Sequence, residues 1–234
     1  MKGNFEITFD TWGAFACFTQ SSAKVERVTY PVPTPSAIRG LISSIYNKPE
    51  EMYYQIKKIE VMKPIQYIDI KRNEIRSKIK NPDNIIYTSE DRTQRHSLIL
   101  KNVYYRITSD VIVRDSTSER VTVGSVKKQI LDRIEKGKCF RQPYFGMKEF
   151  MAFFSLPDES IKPIDESMDL GIMVYDVFII SNTEKLNTNK KQYNADKVVR
   201  RSFYHPNMIN GVISVPEYES FEVYKGDIDV QRNI

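Results

Sequence analysis

The chain has 234 residues, 41% hydrophobic and 28% charged, which suits one large globular domain or two small ones and excludes a disordered chain. Its two cysteines, Cys17 and Cys139, and two histidines, His96 and His205, are too few for a disulfide framework or a structural metal site. A net charge of +5 permits a polyanionic partner without demanding one, and no apolar run reaches membrane-spanning length, so a reduced, cytoplasmic protein with no membrane partner is expected.

The first residues, Met1-Lys2-Gly3-Asn4-Phe5, read as structure and not as a leader. Phe5, Ile7 and Phe9 alternate with polar residues, the pattern of a half-buried strand. An aromatic segment from Trp12 to Phe18 then leads into a polar loop ending near Arg27. From Val28 to Pro35 the chain is stiffened by prolines and extended. Thr34 is a good N-cap and Pro35 suits the first helical position, where a missing N–H costs nothing. Ile38, Leu41, Ile42 and Ile45 then make one apolar stripe. Asn47-Lys48-Pro49 closes the helix, which puts Tyr46 at its C-terminal end, placed to leave the core and meet a ligand.

Tyr53 to Met62 is a strand with Ile59 and Val61 on one face, interrupted by Lys63-Pro64-Ile65-Gln66-Tyr67. Between Lys57 and Lys80 stand eight basic residues, among them Lys63, Lys71, Arg72 and Arg76, against three acids. Either this is a solvated hairpin with lysines guarding its edge, or a basic ribbon that tracks a phosphate backbone; composition leaves both open. A polar cluster, Asp91-Arg92-Thr93-Gln94-Arg95-His96, precedes a long β region ending near Val113. Val123-Gly124-Ser125 opens a second helix, whose stripe is Val126, Ile130 and Ile134 and whose stop is Lys136-Gly137. Lys127 and Lys128 fall in its first turn, against the helix dipole: they are tolerated there, or they act with the helix end on an anion.

Phe140 to Gly146 is a turn and Glu149 to Ser155 a further strand. The order strand, helix, strand, strand, helix, strand predicts an α+β, ferredoxin-like (RRM-like) domain over residues 1–157. A Pro-containing acidic connector, Leu156 to Asp165, then leads to a small antiparallel β domain over residues 158–234. Its runs are Leu170 to Ile180, Val212 to Val215 and Phe221 to Tyr224, with a polar insertion and the basic cluster Lys197, Arg200 and Arg201 between them. Walker, Rossmann, nucleophile-elbow and zinc-protease signatures are absent from the sequence, and Cys17 reads as a small core residue.

Several segments resemble a known family. Tyr30-Pro31-Val32-Pro33-Thr34-Pro35 with Ala37-Ile38-Arg39-Gly40 and Ser44-Ile45-Tyr46-Asn47-Lys48-Pro49 is similar to the CRISPR-associated Cas five family, in its type I-C (Dvulg) subtype. So are Val61-Met62-Lys63-Pro64-Ile65-Gln66, Asp91-Arg92-Thr93-Gln94-Arg95, and the run from Cys139 through Phe140-Arg141-Gln142-Pro143-Tyr144-Phe145-Gly146 to Phe150. Leu170-Gly171-Ile172-Met173-Val174-Tyr175-Asp176 and Asn210-Gly211-Val212-Ile213 complete the match. The resemblance implies an endoribonuclease that cuts CRISPR repeat RNA without metal or other cofactor, by attack of a ribose 2′-hydroxyl on the adjacent phosphate. It implies that the protein then holds the 5′ handle of the guide RNA beside the backbone and large subunits of a type I-C effector complex.

The family's catalytic set is a tyrosine ending the first helix and a Lys-His pair opening the second. Tyr46 matches the tyrosine. The pair falls near Ser125-Val126, so Lys127 or Lys128 takes the cationic role and His96 or His205 arrives only through the fold. An ordinary tyrosine is roughly 0.1% ionised at neutral pH, which makes it a better positioner or donor than base. The candidate RNA contacts are Arg39, Lys48, Lys63, Lys71, Arg72, Arg76, Arg92, Arg95 and Arg141. A non-catalytic subunit that caps the guide's 5′ handle is the alternative, and a generic RNA-recognition module a weaker third.

Overall fold

The computed structural model describes residues 3–20, 26–46, 52–75, 92–113, 122–181 and 197–216. Strand β1 (Gly3–Ala16) is long because Phe5, Ile7 and Phe9 bury on one face while Glu6 and Thr8 stay on the other, and it runs on through the aromatic segment. The short β2 (Arg27–Val28) leads into α1 (Pro35–Ile45). There Thr34 accepts a hydrogen bond from the Ala37 N–H at 3.2 Å, with Pro35 in the first turn as expected. Ile38, Leu41, Ile42 and Ile45 are all buried, each contributing roughly 1.5–3 kcal/mol of apolar transfer.

Next come β3 (Met52–Val61), β4 (Tyr67–Ile75) and β5 (Arg92–Val113). The last is one strand of 22 residues and not a polar cluster followed by separate runs. Long-range pairing overrides the local polarity of Arg92 to His96, because β4 supplies a partner from Ile75↔Arg92 to Tyr67↔Leu100. The basic segment is thus divided over its described part: Lys57 and Lys58 lie on β3, Lys63 in the loop after it, and Lys71 and Arg72 on the two-stranded β4–β5 ribbon, with Arg76 outside the described residues.

Helix α2 (Val123–Glu135) is capped by Thr122, which accepts from the Ser125 N–H at 3.2 Å while the Ser125 hydroxyl accepts from the Thr122 N–H. It ends in a Schellman turn: Gly137 has φ of 60°, its N–H bonds Ile134 O at 3.2 Å, and the Lys138 N–H bonds Arg133 O at 2.8 Å. Val126, Ile130 and Ile134 are buried, as their spacing predicts. Because the helix begins at Val123, Lys127 and Lys128 lie in its second turn and not its first, which takes them away from the dipole's strongest point.

The remaining strands are β6 (Phe153–Ser155), β7 (Met168–Asp169), β8 (Met173–Ser181), β9 (Lys197–Tyr204), β10 (Asn207–Ile209) and β11 (Val212–Ser214). The strand expected from Glu149 shrinks to β6, since Gly146 (φ 78°) and the turn after it keep residues 146–150 out of the sheet. Gly146 packs so tightly that a Cβ there would sit 1.9 Å from the Cys17 carbonyl oxygen.

Among the described residues the main sheet runs β6-β1-β5-β3-β11-β10-β7, with β2 and β4 also pairing β5, and every pairing but β2–β5 is antiparallel. The molecule is therefore mostly antiparallel sheet with two helices among the described residues. Both helices pack their stripes with Ile7, Phe9, Ile56 and Ile107 into one core. The Val212–Val215 run, expected in a separate sheet, pairs instead with β3, at Ile213↔Ile59, and only β8 and β9 pair apart. Phe221 to Tyr224 lie outside the described residues.

The helix-free face of the sheet carries a buried polar post. Asp10 and Arg106 face each other across β1 and β5 with Nε–Oδ1 at 2.7 Å, and Tyr104 Oη and the Asp158 N–H donate to the same carboxylate at 3.0 and 2.9 Å. Arg106 returns a bond to Asp158 O at 2.6 Å, so the connector after β6 is tied to the sheet. Among the described residues no helix is long and apolar enough to cross a membrane.

Candidate active site

Tyr46 caps α1, its N–H bonded to Ile42 O at 2.9 Å. Its side chain does not leave the core: the residue is 5% exposed and belongs to the main apolar cluster. The reason is α2, which lays two polar side chains one turn apart against the phenol. Tyr46 Oη donates to Gln129 Oε1 at 3.1 Å, and the Arg133 guanidinium carbon lies 5.9 Å from the ring centroid. Arg133 Nη1 also donates to Ile45 O at 3.3 Å, which satisfies a carbonyl at the end of α1 with a cation. From below, Tyr54 Oη donates to Tyr46 O at 3.1 Å. Burial, and after it the neighbouring Tyr46, push the Tyr54 phenol above its ordinary pKa, so Tyr54 remains a donor at all physiological pH.

The arrangement presents a hydroxyl just under the surface. Gln129 is itself exposed, so the contact between phenol and solvent is one carboxamide deep. A polar group that replaced that carboxamide oxygen would meet a fixed O–H donor with a guanidinium over the ring beside it. Donor plus cation is what a phosphodiester with a neighbouring ribose hydroxyl needs as charge develops on it.

Lys127 and Lys128 are exposed on α2. With about 100° per residue, they point about 200° and 100° round the helix from Gln129. The two histidines are paired elsewhere. His96 Nδ1 is 3.6 Å from Asp69 Oδ2 on the β4–β5 ribbon, and His205 Nε2 is 2.6 Å from Asp169 Oδ1. Asp169 is held below the usual carboxylate range by the Gly171 N–H and then by His205.

The candidate RNA contacts divide by exposure. Arg39 is not on the surface: it is 5% exposed, donates Nε to Tyr54 O at 3.0 Å and lies 5.2 Å over the Tyr53 ring, because the apolar stripe that surrounds it faces β3. Lys63 and Lys71 are exposed, and Arg95 is half-buried on β5. Arg72 is ion-paired with Glu149 and lies 5.6 Å over the Phe150 ring. Arg92 pairs through its backbone with Ile75 at the ribbon's far end. Arg141 is exposed, its guanidinium 5.5 Å over the Phe140 ring. Lys48 and Arg76 lie outside the described residues.

Gln129 and Arg133 were not legible as site residues from the sequence. Their signal was their spacing, one turn apart beside the Val126–Ile130–Ile134 stripe, which is common to any helix flank. Among the described residues no three His, Cys, Asp or Glu side chains converge. A 580 Å³ concavity on the helix-free face, lined by Glu6, Lys57, Lys58, Glu60, Arg106 and others, includes none of the candidate residues. Two of its three lysines are spent on its acids, Lys57 on Glu6 at 3.0 Å and Lys58 on Glu60 at 3.1 Å, which leaves little net attraction for a polyanion.

The model of a family of CRISPR-associated proteins, Cas5d, matches residues 6–216. A "CRISPR pre-crRNA endoribonuclease Cas5d" of Thermus thermophilus is 32% identical over 217 residues, covering 92% of this chain and 93% of that protein. A protein of the same description from Mannheimia succiniciproducens is 34% identical, covering 93% and 97%. Among solved structures, a CRISPR-associated protein superposes with a TM-score of 0.63 at 19% identity, over 92% of this chain and 94% of the other, a likeness of fold.

Proposed function

The chain belongs to the CRISPR-associated Cas5d family, and on that footing we propose that it is an endoribonuclease that cuts CRISPR repeat precursor RNA. Two relatives that carry that activity in their description align over nearly their whole length, which supports the reading. The observation that carries it is the Tyr46 hydroxyl, held by Gln129 beneath the Arg133 guanidinium.

In the proposed reaction a ribose 2′-oxygen attacks its own 3′-phosphate and the 5′-oxygen of the next nucleotide leaves. The products are a 2′,3′-cyclic phosphate and a 5′-hydroxyl; the 2′-hydroxyl gives its proton to solvent water and one proton is delivered to the departing 5′-oxygen. The RNA displaces the Gln129 carboxamide, Tyr46 orients the 2′-hydroxyl or protonates the leaving oxygen, and Arg133 meets the charge on the phosphorane. Lys127 and Lys128 supply longer-range attraction from the exposed side of α2. The step uses no metal.

The strand order β6-β1-β5-β3 with two helices on one face supports a ferredoxin-like frame over residues 1–157, and residues 158–234 are its β-rich companion. After the cut the protein stays on the 5′ handle of the guide in a type I-C effector complex, where the exposed Lys63, Lys71 and Arg141 contact phosphates. A second reading, a cap that binds the handle without cutting, has its own support: the Tyr46 phenol is buried behind Gln129, and Ser125-Val126 replaces the family's Lys-His pair.

Incubation of the purified protein with the repeat RNA of its own CRISPR array in EDTA separates the two. One defined cut with a cyclic-phosphate end is the expected result. Tight binding of an intact RNA overturns the cleavage reading in favour of the cap.

A further inference from the structure

On the segment tied to the last turn of α1 the surface carries a phenylalanine that no part of the cleavage chemistry uses. The Schellman turn that ends α2 reverses the chain and sends residues 138–141 across the last turn of α1. There the Phe140 and Arg141 N–H groups both donate to Ser44 O, at 2.8 and 3.0 Å. That carbonyl is one of the four that a helix end leaves open, so the segment is locked to α1 two residues before Tyr46. Its backbone is fixed, yet its side chains are out: Phe140 is 56% exposed and Arg141 is exposed. The Arg141 guanidinium lies 5.5 Å over the Phe140 ring.

A single exposed phenylalanine is ordinary on a protein surface. This one differs in three respects. The cation over its ring comes from the next residue, so ring and charge stand together on one anchored stretch of backbone. That stretch hangs on hydrogen bonds to the helix that carries Tyr46. The ring stays out of the core although Ile42, Ile45 and Tyr46, at the end of the helix it is tied to, are all buried. An aromatic face with an adjoining guanidinium matches one chemistry closely: an unstacked base with its phosphate, in single-stranded RNA.

We propose that Phe140 and Arg141 form a clamp for one unpaired nucleobase of the RNA next to the phosphate that is cut. Arg141 covers one face of the ring and reaches the nucleotide's phosphate, and the base stacks on the other face. The clamp rests on the reading of Tyr46 as the cleavage site for its position, and it sets which phosphate arrives there. It is sequence-tolerant, because every base has a π-face.

The test uses the full chain and the repeat RNA of its own array, with 2-aminopurine placed in turn at each unpaired position flanking the cut and a 2′-deoxy residue at the cut to block the reaction. With the wild-type protein, fluorescence at one position is quenched on binding. Phe140→Ala abolishes that quench and weakens binding roughly 5- to 150-fold, the equivalent of one stacked base. Phe140→Trp retains both, and Tyr46→Phe retains the quench. Matching thermal melts for wild type and Phe140→Ala show that the fold is intact, since the bonds to Ser44 are made by backbone. A quench that persists in Phe140→Ala, or no quenched position in the wild type, overturns the clamp. A quench lost in Phe140→Ala alongside an all-ribose RNA that is never cut overturns the cleavage reading and still supports the clamp.

Discussion

Tyr46 and Gln129 are joined by a hydrogen bond of 3.1 Å from the phenol to the carboxamide oxygen, linking the end of α1 to the middle of α2. In the proposed reaction the RNA displaces that carboxamide, which frees the phenol O–H for the substrate. Gln129→Ala therefore spares the RNA the breaking of one hydrogen bond, worth about 0.5–1.5 kcal/mol, and cuts about 2- to 10-fold faster than the wild type. Gln129→Glu sets a carboxylate against the incoming phosphate and slows the cut at neutral pH, and the rate recovers as pH falls through the carboxylate range near about 4.3. Single-turnover rates against pH, alongside binding isotherms, read both outcomes.

Arg133 meets both the Tyr46 ring and Ile45 O. If it also meets the phosphorane, Arg133→Ala lowers the single-turnover rate about 10²- to 10³-fold, as loss of a preorganised donor does elsewhere. Arg133→Lys keeps the charge but not the planar fork, and recovers part of the rate. Equal rates for wild type and Arg133→Ala would leave the cationic role to Lys127 or Lys128.

The Asp10–Arg106 post is a matter of stability. Asp10 is fully buried and Arg106 nearly so, with the guanidinium pKa raised first by its hydrogen bond to Asp10. Asp10→Ala leaves that cation, among the described residues, only the exposed Glu159 as an ion pair, at 3.8 Å, and costs about 3–5 kcal/mol in a denaturant melt. The post also gives an alkaline signature. Burial first, and then the hydrogen bond to Asp10, push the Tyr104 phenol from 10.0 up to about 12. A phenol whose pKa is raised by folding stabilises the protein fully below its unfolded value, and that stability is lost as pH rises through the folded one. Between pH 10 and about 12 the wild type should lose stability that Tyr104→Phe does not, measured by denaturant midpoints over that window.

Gly146 tests the turn that holds the Phe140–Phe150 segment in place. With φ of 78° and the Cys17 carbonyl oxygen where a Cβ would go, Gly146→Ala meets both strain and backbone clash. The conformation alone costs about 1–3 kcal/mol, and the clash adds to it. The variant's melting temperature should fall well below that of Gly137→Ala, where a Cβ meets nothing within 4 Å.

Both helices were legible because their signals are local: Thr34 and Pro35 at one start, Gly137 at the other stop, and two clean apolar stripes between. Local signals failed where tertiary pairing decided. Arg92 to His96 are polar enough to read as a loop, and become strand only because β4 lies alongside. Val212 to Val215 gave no hint that its partner would be Ile59, some 150 residues earlier by sequence number. The site shows the same division. Tyr46 stood out by its place at a helix end, yet its burial depends on where α2 falls, and so do Gln129 and Arg133. Arg39 stood out as a cation in a motif, and a buried guanidinium over Tyr53 is a fact of packing that spacing does not carry.

The most direct measurement is the single-turnover rate at which Tyr46→Phe cuts the repeat RNA of its own array in EDTA, beside its affinity for the uncut RNA. Removing one oxygen from a ring that is otherwise core leaves the fold and the affinity unchanged and slows the cut about 10²- to 10⁴-fold. A Tyr46→Phe protein that cuts at the wild-type rate contradicts the account.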